Sequence, residues 1–308
     1  MSSDETSKEN SIVDSATTNK VVTSTTTSSS ASPPHIFNLH LVDIDKEIIG
    51  SWKDELSKLP TKHHSADTTT SCLKVHIYEN TFQSVLKSNS DIQCLVSPAN
   101  SFGLMDGGID YYISEYYGGV DKLIPVVQKR IERNWCGEQN VGSCLLVDVR
   151  DLVNRLKKKE NVQKNYPSYI AHCPTMRTPK KLKSEDDIVY RCTWAMLTSI
   201  RKHNLKILES NNGSKKQHER INNVLCAGFG TGVGRFPAKH CAKQMFLAVQ
   251  NFNECPANNN VFGDDGNDKP IAMKNEENDW LVEWSYARKI ESSVQSLLRK
   301  EDFFRKYI

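Results

Sequence analysis

Two polar residues, Asn100 and His172, stand at or just past the ends of apolar runs, the positions from which a buried strand would deliver a side chain to a reacting group, and a third, Asp110, comes just after a pair of glycines. Asn100 follows the run Ile92–Val96 and the link Ser97-Pro98-Ala99. Asp110 follows Gly107-Gly108-Ile109. His172 closes Tyr169-Ile170-Ala171 and precedes Cys173-Pro174. A histidine titrates near neutral pH and moves a proton at low cost. A carboxylate orients such a ring or activates a water. An amide at a strand exit can hold a sugar hydroxyl. Two of them also have plainer readings: Asn100 as the cap of a turn, and His172 as a satisfied structural residue.

Two glycine-rich stretches flank these residues. The first carries Gly103, Gly107 and Gly108 ahead of a helical pattern; the second is Gly228-Phe229-Gly230-Thr231-Gly232-Val233-Gly234, ahead of Pro237. Glycine lets the backbone approach a ligand closely. A helix start just beyond it offers unpaired N–H groups and the positive end of the helix dipole, a setting suited to phosphate. The spacing fits neither the G-x-G-x-x-G dinucleotide fingerprint nor a P-loop, since no Gly-Lys-Ser/Thr occurs. Two such loops in one sheet could grip two phosphates from opposite sides, and a diphosphate is the simplest ligand of that shape. Two unrelated tight turns would give the same spacing.

The elements that must position these groups alternate. Strands are expected at Ile36–Val42, Leu73–Tyr78, Ile92–Val96, Cys144–Val149, Tyr169–Cys173 and Asn223–Ala227, with an edge strand at Asp279–Trp284. Helices are expected at Lys46–Leu59, around Phe82–Lys87, after Gly108, along Val120–Trp135, from Ile188, from Ala238, and over Tyr286–Leu298. Their apolar residues recur at helical spacing. Loops are expected at 60–71, 155–166, 176–186, 209–220 and 254–278. Such alternation argues for an α/β fold whose sheet is mostly parallel and covered on both faces. Ligands of such sheets sit beyond the carboxyl ends of the strands. Residues 1–34 are rich in Ser and Thr and carry too few apolar side chains to offset the entropy of ordering, so they read as a disordered tail before one domain over 35–308.

Composition narrows the classes. Forty Lys and Arg face 37 Asp and Glu, which gives no concentrated basic face for nucleic acid, so none is expected as a direct partner. The nine cysteines include no Cys-x-x-Cys pair, and His-Glu-x-x-His is absent, so no metal is expected. Apolar surroundings of Cys94, Cys144 and Cys226 suit buried thiols of a reducing compartment. With no apolar leader and no stretch long enough to span a bilayer, the expectation is a cytoplasmic chain, nuclear access included, with no membrane partner.

The loops together resemble those of macro domains. Asn100-Ser101 through Gly107-Gly108-Ile109-Asp110 is similar to their first ligand loop, Asn-x-x-x-x-x-Gly-Gly-Gly-Val. Gly230-Thr231-Gly232-Val233 with Phe236-Pro237 is similar to the second, and Val42-Asp43-Ile44-Asp45 looks like the segment after the first strand. The resemblance spans residues 36 to about 250. It implies a three-layer α/β/α fold with a mostly parallel mixed sheet that binds ADP-ribose. By position it implies Asp43 and Ile44 at the adenine and Asn100 at the distal ribose. Gly107, Gly108 and Ile109 would meet the diphosphate from one side; Gly230, Thr231, Gly232, Val233 and Gly234 would meet it from the other. The chain departs from the pattern at Asp106, which replaces the third glycine of the first loop. It departs again at Gly234 and Arg235, which replace an aromatic and the last glycine of the second loop.

The segment Tyr169–Pro179 resembles a strand of the fungal macro-like proteins that remove phosphate from ADP-ribose 1″-phosphate, a by-product of tRNA splicing. That resemblance implies a phosphatase using Asn100, Asp110 and His172 on a small-molecule ADP-ribose derivative, with no cofactor. Two rivals stand beside it. A mono-ADP-ribosyl hydrolase would use Asp110 and a water without His172. A non-catalytic reader would need only Asp43 and the loops. The oligomeric state is open.

Overall fold

The computed structural model describes residues 37–59, 73–160, 165–210, 220–255 and 284–306. The expected tail over 1–34 and most of the expected edge strand at Asp279–Trp284 lie outside them.

Six strands form one sheet: β1 (Asn38–Asp43), β2 (Lys74–Glu79), β3 (Cys94–Ser97), β4 (Leu145–Asp148), β5 (Tyr169–His172) and β6 (Asn223–Cys226). Their order is β2-β1-β6-β3-β5-β4. All neighbours run parallel except β4, which is antiparallel to β5 at the edge. Alternate residues face opposite sides, as the twofold period of a strand requires. Leu39, Leu41, Cys94, Val96, Val224 and Cys226 enter one apolar cluster, and Leu95, Ile170 and Leu225 the other.

Helices fill both faces. α1 (Lys46–Lys58), α6 (Ile188–Ser210) and α7 (Ala238–Asn253) cover the first. α2 (Phe82–Ser88), α3 (Gly108–Tyr116), α4 (Val120–Trp135) and α5 (Arg150–Glu160) cover the second. The architecture is the three-layer α/β/α arrangement expected. Helix starts follow local chemistry: Asp45 accepts from the Glu47 N–H at 2.8 Å to begin α1, and Thr81 accepts from Ser84 N–H to begin α2. α8 (Trp284–Lys306) lays Val294 against Tyr190 and Ala248.

Two expectations need correction. Residues 155–160, expected in a loop, belong to α5. The run Lys157-Lys158-Lys159-Glu160 is polar enough to resemble a loop. However, Leu152, Val153 and Leu156 share one face and are buried against the sheet, and Asp148 accepts from the Arg150 N–H at 3.0 Å to start the helix. Trp284, expected to end an edge strand, instead begins α8.

Candidate functional site

Strand order decides what meets at the site. β6 lies between β1 and β3, so the segments leaving the carboxyl ends of these three strands are adjacent. A cavity of about 530 Å³ opens there. Asp43 and Ile44 line it after β1, Asn100 and Gly107–Asp110 after β3, and Gly230–Gly234 after β6. All the residues expected to bind ligand therefore converge on one cavity. Four exposed apolar side chains also line it: Ile44 (70%), Leu104 (44%), Tyr112 (53%) and Val233 (55%). Apolar surface left in water around a concave site suits the flat faces of a nucleoside.

Asp110 is the chemically distinctive wall residue. It sits in the first turn of α3, is buried, and accepts a hydrogen bond from Ser97 Oγ at 2.8 Å. Burial pushes its pKa up to about 7; the Ser97 bond pulls down against this, and the Asp106 charge adds to the rise. A carboxyl group held there exists in both protonation states at neutral pH, which suits a proton carrier.

Asn100 also lines the cavity, and its amide braces its own loop. Oδ1 accepts from the N–H groups of Phe102 and Leu104, and Nδ2 donates to Leu104 O at 2.7 Å. Both lone pairs are in use, so one amide hydrogen is left to offer a ligand. Asp43 behaves similarly: Oδ1 takes the N–H groups of Ile44 at 2.8 Å and Asp45 at 3.0 Å. The neighbouring Asp45 supplies the cap of α1.

The glycines divide by what a Cβ would meet. At Gly107, Gly108 and Gly232 it would meet open space in the cavity wall, and Gly108 also holds φ +56°. These are positions of close backbone approach. At Gly230 a Cβ would strike Leu182 at 2.6 Å, and at Gly234 it would strike the Gly230 carbonyl at 2.5 Å. Those two glycines let the second loop fold on itself under Leu182, whose N–H donates to Gly234 O at 2.8 Å.

His172 is placed differently from the expectation. It does not line the cavity and is fully buried. The regular strand β5 ends at His172, but pairing between the two chain segments continues past it. Ala99 N–H donates to Cys173 O, Thr175 N–H to Ala99 O, and a bridge joins Asn100 to Met176. The residue that reaches the cavity from this side is therefore Met176, not His172. The ring is also held. Gln139 Nε2 donates to His172 O and to Ser143 Oγ, whose own proton goes to Asn140 O. Gln139 Oε1 must then face Nδ1, 2.7 Å away, and Nδ1 carries the proton. Nε2 is buried without a partner. Burial lowers the pKa of the ring to about 3, so it is neutral at pH 7. This geometry does not suit His172 to move a proton in the cavity.

Sequence reasoning missed the contribution of β2. Asn80, Thr81, Phe82 and Gln83, at the junction of β2 and α2, line the cavity because β2 is parallel to β1 and ends beside it. The β-strand followed by a Thr cap was a legible signal, but only the pairing of β2 with β1 makes it relevant. Tyr112 was missed because nothing in the α3 sequence says which side of the helix the cavity takes.

The chain belongs to the macro-like domain family, whose model matches residues 35–257. A curated relative, an uncharacterized protein of Aquifex aeolicus (strain VF5), is 30% identical over 162 residues, 53% of this chain and 75% of the relative. Membership of this family points to a small-molecule ligand of the ADP-ribose type. Among the described residues, no helix is long and apolar enough to cross a membrane.

Proposed function

We propose that the protein hydrolyses an ADP-ribose derivative at its distal ribose, and that its substrate is ADP-ribose 1″-phosphate, as in the fungal macro-like phosphatases its sequence resembles. The observation that carries this reading is Asp110, a buried carboxyl group in the cavity wall with its pKa at about 7. The diphosphate lies between the open backbones of Gly107–Gly108 and Gly232, with the adenine toward Asp43 and Ile44. Asn100 offers its remaining amide hydrogen to the distal ribose.

In the reaction, water attacks the terminal phosphorus and the bond from phosphorus to the ribose oxygen breaks. Asp110 takes the proton from the water and gives it to the departing oxygen, so the carboxylate is regenerated. Helix α3 begins beside the phosphates, and its N–H groups favour the negative charge that builds up.

The position of His172 favours a second reading, removal of ADP-ribose from protein, in which Asp110 and a water suffice. One experiment separates the readings: supply ADP-ribose 1″-phosphate, mono-ADP-ribosylated protein, and ADP-ribose. Phosphate release from the first substrate alone supports the phosphatase. Release of ADP-ribose from protein alone supports the second reading. Tight binding of ADP-ribose with neither release would leave a reader of ADP-ribose.

A further inference from the structure

Four carboxylates line the cavity, Asp43, Asp45, Asp106 and Asp110, and no Lys, Arg or His is among the residues that line it. A diphosphate can be held there by backbone N–H groups alone. A further terminal phosphate brings added negative charge to a wall that already carries Asp106 and, when ionised, Asp110, and like charges at close range in a partly dry site repel strongly. Such a ligand needs a cation close to the cavity.

The second glycine loop carries one. Two described residues other than glycine have positive φ: Cys136 at 51° and Arg235 at 49°. Cys136 is accounted for, since it caps the carboxyl end of α4 in the left-handed conformation. Arg235 caps no helix. It follows Gly234, a lining residue, and its N–H closes a turn onto Gly232 O at 3.0 Å. A side chain at this φ crowds the backbone, which is why glycine normally takes the position. Arg235 is exposed and makes no ion pair with any described residue. A strained backbone conformation that carries a free guanidinium at the lip of a carboxylate-lined cavity calls for a reason beyond folding.

We propose that Arg235 is a specificity-determining residue, whose guanidinium reaches over the lip of the cavity to hold a terminal phosphate on the distal ribose. The planar fork of a guanidinium matches two phosphate oxygens, which a lysine ammonium does not. This inference rests on the phosphatase reading for its ligand.

The test uses the full chain with Asp110→Asn in every sample, so that ligand is not consumed. Affinities for ADP-ribose and ADP-ribose 1″-phosphate are measured by calorimetry for Arg235, Arg235→Lys and Arg235→Gly. Arg235→Gly should lose roughly 10- to 100-fold in affinity for the phosphorylated ligand, the effect of one lost charge-assisted hydrogen bond, and much less for ADP-ribose. Arg235→Lys should fall between the two. Because glycine relieves the backbone, Arg235→Gly should also melt higher, by about 1–3 °C. Equal losses for both ligands, or no loss, would overturn the proposal. So would a fall in melting temperature, which would show that packing holds the arginine. Phosphate release by the protein with Asp110 intact is measured in parallel. If none occurs while the preference for the phosphorylated ligand depends on Arg235, the hydrolytic reading fails and the role of Arg235 stands.

Discussion

Asp110 and His172 are joined through Ser97, which hydrogen-bonds the first and is the register partner of the second. Burial drives their pKa values in opposite directions, because in each it penalises the charged form. If Asp110 acts as a base, kcat/KM should rise with pH through about 7, and Asp110→Asn should lose roughly 100-fold or more in turnover while keeping most affinity for ADP-ribose. A pH–rate profile flat from pH 5 to 9 would remove Asp110 from the mechanism. His172→Ala should keep turnover in the folded fraction and lose stability by about 1–3 kcal/mol, because Gln139 Oε1 is left buried without its partner. Denaturant titration and a turnover assay on the same sample measure both. A hundredfold loss of turnover without loss of stability would restore His172 as a catalyst.

Within the second glycine loop, Gly232 and Gly234 do different work although they stand two residues apart in the same run. Gly232→Val should leave the fold intact and abolish ADP-ribose binding, because its side chain would project into the cavity. Gly234→Ala should instead destabilise the protein, since its Cβ would sit 2.5 Å from the Gly230 carbonyl. Circular dichroism melts with calorimetry on the two variants separate these outcomes; a normal affinity for Gly232→Val would reduce the second loop to a plain turn. Leu182 is the clamp over that loop, and Leu182→Ala should cost about 2–4 kcal/mol of stability and weaken binding as the loop loosens. Helix α5 shows what hides an element from sequence reading. Its apolar face is only Leu152, Val153 and Leu156, and three lysines follow. The face becomes recognisable once the sheet it covers is known.

For the whole molecule, the same two groups set opposing slopes of stability against pH. Asp110 has its folded pKa raised, so its contribution is full below about 4 and is lost as pH rises toward about 7. His172 has its folded pKa lowered, so its contribution is full above about 6.5 and is lost as pH falls toward about 3. Between these limits the two slopes offset each other. Asp110→Asn should remove the first slope. The variant should therefore gain stability with rising pH from about 4 to 6.5 more steeply than the wild type, by up to ~1.4 kcal/mol per pH unit. Melting temperatures across that range test the sign, and a shallower rise in the variant would contradict it. ADP-ribose should raise the melting temperature more than AMP, which lacks the second phosphate and the distal ribose. Equal shifts would mean that the second phosphate and the distal ribose add nothing to binding.

The alternation of elements and the two glycine loops are legible in the amino-acid sequence, because strand and helix periods and turn chemistry are local properties that neighbouring residues carry. The family is legible too, since the spacing within Asn100–Asp110 and Gly230–Pro237 is kept between near neighbours in the chain. Packing between distant segments fixes the rest. Strand order set β6 between β1 and β3, which turned separate loops into one cavity, and set β2 beside β1, which added Asn80–Gln83 to its wall. Pairing beyond the regular ends of β3 and β5 sank His172 below the cavity and brought Met176 to its edge. The environment of Asp110 was decided in the same way. Whether a carboxyl group ionises at pH 4 or pH 7 depends on the solvent it loses and the charges it meets, and both are set by packing between residues distant in the chain.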